Sequence, residues 1–178
     1  MPDFLNHTNE YYDTHDVDWF AIINGVVIHV ASAGGLIPDA VKKKLSESSV
    51  YVAQLALIEK EEVTTISDNF ISERLGIPLG QIIDDVLLEY NLTRKEAYLS
   101  SFKLMARRGL YSFDKTNIND PTDNHYYLVA WPTSEDNRLK PEDSSKCPIP
   151  VLNSINVNFG NPESLTDVDF TPLLGDVD

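Results

Sequence analysis

Asp18-Trp-Phe-Ala-Ile-Ile-Asn-Gly-Val-Val-Ile-His-Val-Ala-Ser-Ala-Gly-Gly35 sets two apolar runs on either side of Asn24-Gly25. A type I′ turn requires positive φ at both central residues, and Asn-Gly tolerates that better than other pairs. A two-residue loop also sets the register. It puts Ile23 opposite Val26, Ile22 opposite Val27, Ala21 opposite Ile28, Phe20 opposite His29 and Trp19 opposite Val30. Side chains alternate along a strand, so one face carries Trp19, Ala21, Ile23, Val26, Ile28 and Val30. The other carries Phe20, Ile22, Val27 and His29. Both faces are apolar, which predicts a hairpin inside a sheet covered on both sides.

Outward from this hairpin, the 178 residues read as one α+β domain whose centre is a mostly antiparallel sheet. Strands are expected over 19–23, 26–31, 50–58, 111–113 and 125–131, with an edge strand over 154–159. A three-helix segment is expected over 66–108. Residues 1–18 form an acidic leader, 19–65 the hairpin and first α/β part, 66–131 a helical subdomain, and 132–178 an irregular, proline-rich acidic segment. Within the helical part, Gly76-Ile77-Pro78 separates two helices, the second running from Leu79 to Tyr90. Thr93 with Glu96 makes a capping box for a third helix reaching Arg108, with Gly109 as its stop.

The net charge of −14 is uneven. Residues 1–18 hold five acids and no base, 132–178 nine acids and three bases, and 19–131 fourteen acids and eleven bases. Repulsion of phosphate disfavours nucleic acid and anionic membranes as partners and points to another protein. No run of about 18 apolar residues is present, so no transmembrane helix is expected. The N-terminal residues lack a basic region followed by an apolar one, so a cytoplasmic location is expected. Cys147 stands alone, which excludes an internal disulfide and a cysteine-based zinc site.

His7, Asp13 and His15 are metal-ligand types in the leader, where a solvated acidic segment is the simpler reading and no cofactor is expected. Ser32 follows a strand but lacks the G-x-S-x-G pattern of a nucleophile elbow, so Gly34 and Gly35 read first as a chain turn. Cys147 becomes a nucleophile only if His29 or His125 approaches it.

Ser72, Gly76, Ile77 and Ile82 resemble the core of a helix-turn-helix, and residues 104–131 are similar to the last helix and wing of winged-helix proteins. That resemblance implies DNA contact through Arg94, Lys95, Lys103, Arg107 and Arg108, the helix before them being too acidic to read bases. The preferred reading is a non-enzymatic protein-binding or regulatory protein. A DNA regulator and a small hydrolase using Ser32 or a Cys147–histidine pair are the alternatives.

Overall fold

A computed structural model of the chain describes residues 15–57, 63–141, 147–153 and 155–175. Strands β1 (Asp18–Ile23) and β2 (Val26–Ala31) come first, then helices α1 (Asp39–Lys42) and α2 (Leu45–Gln54) and strand β3 (Val63–Thr65). Helices α3 (Asp68–Leu75) and α4 (Leu79–Asp84), the short strands β4 (Val86–Leu87) and β5 (Leu92–Thr93), and helix α5 (Arg94–Ala106) follow. Strands β6 (Tyr111–Lys115), β7 (His125–Pro132), β8 (Val151–Leu152) and β9 (Val168–Asp169) complete the order.

The hairpin has the register its turn dictates: Trp19 faces Val30, Phe20 faces His29 and Ile23 faces Val26. Asn24 and Gly25 lie at φ 51° and 76°, the positive values such a turn needs. Around the hairpin the main sheet runs β3-β7-β6-β2-β1-β8, with β9 also on β7. Four of its six strand pairs among the described residues are antiparallel, as expected, and two parallel pairs make it a mixed sheet. β2 runs parallel to β6 and β1 parallel to β8, and the other neighbours are antiparallel. Everything from α1 to α5 lies between β2 and β6, a crossover long enough for a parallel pair.

Both faces of the sheet are buried. Trp19, Ile28, Phe113 and Leu128 pack on one side beneath Ile37, Val41 and the C-terminal Phe159, Phe170 and Leu173. On the other side Phe20, Ile22 and Val27 meet Val52 and Leu110, while Tyr127 and Val129 meet Ile71, Leu99 and Phe102.

Four boundaries differ from expectation. Residues 45–54 form a helix where a strand was expected over 50–58, and residue 58 lies outside the described residues. The buried positions Leu45, Ser48 and Val52 follow the helical repeat, which a window opened at Val50 hides. Residues 155–159 make no strand, although Ile155, Val157 and Phe159 are buried as their alternation implies. They cover a sheet face, and β8 takes the edge instead. The helix from Leu79 stops at Asp84, and the hairpin β4–β5 replaces its second half, with Asn91 at φ 52° in the turn. β6 continues to Lys115, two residues past its expected end.

The α3–α4 corner forms as the spacing implies, with Gly76 left-handed and Ser72 Oγ donating to the Ile77 carbonyl at 2.7 Å. Thr93 and Glu96 make the capping box on α5. The strands after α5 are no wing, however. β6 sits between β2 and β7 in the sheet interior, so the winged-helix resemblance ends at α5.

Candidate functional site

Residues singled out in the sequence are mostly absorbed by the fold. Ser32 is fully buried, its Oγ accepting the Val17 N–H at 3.0 Å, and Gly35 N–H donates to the Ser32 carbonyl at 2.9 Å. That is a chain turn. His29 is buried between β1 and β6: Nδ1 lies 2.6 Å from Ser112 Oγ, Nε2 lies 3.4 Å from Asp18 Oδ1, and Phe20 and Phe102 flank the ring. Ser112, His29 and Asp18 thus line up like a nucleophile relay, but Ser112 is fully buried and no substrate can reach its oxygen. Cys147 packs against the Phe20 and Ile22 cluster and makes no hydrogen bond to a histidine among the described residues.

His125 is exposed and pairs with Asp167 at 2.7 Å; the hydrogen bond, opposed by slight burial and helped by the carboxylate charge, holds its pKa above 6.5. His15 is exposed, His7 and Asp13 lie outside the described residues, and no group of three metal-ligand side chains exists among the described ones.

Arg94, Lys95 and Lys103 of α5, with Arg107 and Arg108 just after it, do not form a strip. Lys95 pairs with Asp68 at 2.7 Å and Arg94 with Asp85 at 3.7 Å, while Arg108 is half-buried and leans on Met105. At 3.6 residues per turn, Lys103 leaves the axis roughly opposite Arg94, with Lys95 about midway between them. A groove-reading helix presents its cations together, and this one distributes them.

Two charged groups turn inward at the end of β6, past the expected end of that strand at 113: half-buried Asp114 and buried Lys115. Asp114 accepts hydrogen bonds from Tyr98 at 2.8 Å and Tyr127 at 3.1 Å, and the two phenol oxygens are 2.7 Å apart. Burial pushes the Asp114 carboxyl above its ordinary value, against the pull of those phenols. Three oxygens share only two hydroxyl protons while Asp114 is ionised, and a protonated Asp114 supplies the third. On the opposite face Lys115 and Tyr126 are a cross-strand pair, each 1% exposed, with no hydrogen-bond partner for Nζ or Oη among the described residues. Burial pushes the Lys115 ammonium below its usual pKa, with Asp123 and Asp120 opposing. A Cβ on Gly35 would stand 2.7 Å from that Nζ, so glycine is what lets the lysine lie there.

Accessible chemistry lies elsewhere. The lobe formed by α3, α4 and the β4–β5 hairpin buries Ile71 and Ile82 but leaves Leu75, Leu79, Ile83, Val86, Leu88 and Tyr90 exposed. Leu88 is 95% and Tyr90 60% accessible. Asp84, Asp85 and Glu89 are interleaved with them and exposed as well. Beside the start of α3 is a cavity of about 330 Å3, bordered by Thr65, Ser67, Phe70, Trp131, Glu163 and Thr166. Residue periodicity could have shown the lobe: Ile82 and Ile83 are adjacent on a short helix, so one of them must face outward. No pattern within a single segment could have shown the cavity, because three separate parts of the chain build it.

No protein-family model matches the chain, and neither does any curated protein or solved structure.

Proposed function

We propose that this chain is a non-enzymatic, cytoplasmic protein-binding module that docks a partner on the α3–α4–β4–β5 lobe. One observation carries the reading. Of the twelve large hydrophobic residues exposed among the described ones, six fall within positions 75–90, while β1, β2, β6 and β7 hide their apolar residues on both faces. A contiguous apolar surface rimmed by polar groups marks an interaction site. The occupant is a protein surface of matching character, an apolar patch edged by lysine and arginine. Asp84, Asp85 and Glu89 on this lobe and the net charge of −14 favour that partner electrostatically. Catalysis has weaker support, since Ser112 and His29 are buried without access and Cys147 has no histidine partner among the described residues.

The test is photo-cross-linking in cells from position 90, 60% exposed in the lobe, carried alike by the parent, by a double variant Ile83→Asp/Leu88→Asp and by an Ile118→Asp control. Ile118 is 63% exposed and lies outside the lobe. Capture of a protein by the parent and the control, but not by the double variant, is expected. An identical captured set from all three proteins would refute the reading. Sedimentation equilibrium of the purified parent should show a monomer; a dimer dissociated by the double variant would make a second copy of this chain the occupant.

A further inference from the structure

Building on the protein-binding reading, we propose that the cavity beside Trp131 receives the guanidinium group of an arginine carried by the partner. Phe70 and Trp131 supply aromatic walls, and Glu163 stands exposed at the rim with no cation paired to it among the described residues. Thr65, Ser67 and Thr166 also border the space, with the Ser67 hydroxyl capping α3 by accepting the Phe70 N–H at 3.3 Å. A guanidinium suits this combination. It is weakly hydrated, lies flat on aromatic rings, and presents several donors in one plane to a carboxylate.

The protein contains a precedent on the same ring. The Arg74 guanidinium lies 4.9 Å from the centre of Phe70 and 5.2 Å from that of Tyr127. An ammonium would gain less from the walls because it gives up more hydration.

An opposing effect comes from the start of α3, whose free N–H groups favour an anion with the equivalent of about half a charge. Asp68 in the first turn is already paired with Lys95, so the charge set against that end is the full negative charge of Glu163. The cation therefore wins. At about 330 Å3 the space is at the small end of ligand cavities, suited to one side chain rather than a large cofactor.

The experiment is an amide NMR titration of the full chain with N-acetyl-arginine amide, set against N-acetyl-glutamine amide, free arginine and sodium phosphate. Saturable shifts are expected at residues 65–70, 131 and 163–166 with the arginine amide and not with the glutamine amide. Glu163→Gln, an exposed and isosteric change, should weaken binding by about fivefold or more. Equal affinity in Glu163→Gln would overturn the proposal, as would shifts produced by phosphate in place of the cation. Tighter binding of free arginine than of its capped form would assign the cavity to a free amino acid and overturn the partner-borne source. The titration needs no partner, so its failure leaves the lobe untouched; loss of partner capture by the lobe variant likewise leaves the titration unaffected.

Discussion

The central sheet and the α3–α4–β4–β5 lobe treat the same kind of residue in opposite ways. In β1, β2, β6 and β7, leucine, isoleucine, valine and the aromatics are hidden on both faces. In the lobe, Ile82 is fully buried while its neighbour Ile83 is 41% exposed, and Leu88 is almost wholly so. A sheet between two layers has no outward face, so every apolar residue contributes to stability. A helix of six residues and a two-stranded hairpin have only one supported side. Their remaining apolar residues contribute nothing to the fold until something covers them. Hydrophobicity in the sheet is therefore structural, and in the lobe it is available for binding.

Stability measurements should separate the two regions most widely. Ile28→Ala, at a fully buried position, should cost about 2–5 kcal/mol in urea unfolding, because the cavity it leaves cannot collapse in a sheet packed on both faces. Leu88→Ala should stay within about 0.5 kcal/mol of the parent. Comparable losses at both positions would erase the distinction. Binding should show the reverse order. Ile83→Asp/Leu88→Asp is expected to weaken partner affinity by about thirtyfold or more, equivalent to roughly 2 kcal/mol, with far-ultraviolet circular dichroism unchanged.

The two turns sharpen the contrast. Gly25→Ala puts a Cβ on a residue at φ 76° and should cost about 1–2 kcal/mol. Asn91→Gly, at φ 52° in the lobe hairpin, should change stability by less than about 0.5 kcal/mol.

Asp114 gives a smaller, signed effect. Its folded pKa is raised, so the folded state holds that proton more tightly than the unfolded chain does. The resulting stability is present below 3.8 and is lost as pH rises through the folded value. Asp114→Asn should therefore equal or exceed the parent in melting temperature at pH 7, and lose that advantage below about pH 4. A variant less stable than the parent at pH 7 and level with it in acid would reverse the sign.

The smallest effect belongs to His125. Its raised pKa means the Asp167 pair stabilises below pH 6.5, and the contribution fades as pH rises through the folded value. Melting of His125→Gln and parent at pH 5.5 and 8.5 should show a slight parent advantage only at the lower pH.

Much of the sheet was legible because its signals are local. Asn24-Gly25 specifies a turn, and a two-residue turn specifies every pair up to Trp19 and Val30. The Thr93–Glu96 capping box is equally local, spanning three residues. Residues 50–58 misled because β-branched side chains at 50 and 52 suit a strand, whereas the deciding repeat begins at Leu45. Asp114 and Lys115 were missed for a related reason. Charged residues usually mark a strand's end, yet here two phenols satisfy one and a glycine makes room for the other.

By itself the sequence determined the hairpin, its register, the two apolar faces and the helix caps, since each depends on backbone preferences and side-chain alternation within a few residues. Only the tertiary structure decided that β2 lies parallel to β6, that residues 155–159 cover a face instead of extending an edge, and that Ser32 is a corner with its hydroxyl occupied. It alone decided which of the lobe's apolar residues remain uncovered, and brought Phe70, Trp131 and Glu163 around one cavity. The physical reason is that these outcomes depend on which surfaces meet, and chain segments fifteen or more residues apart carry no local record of their meeting.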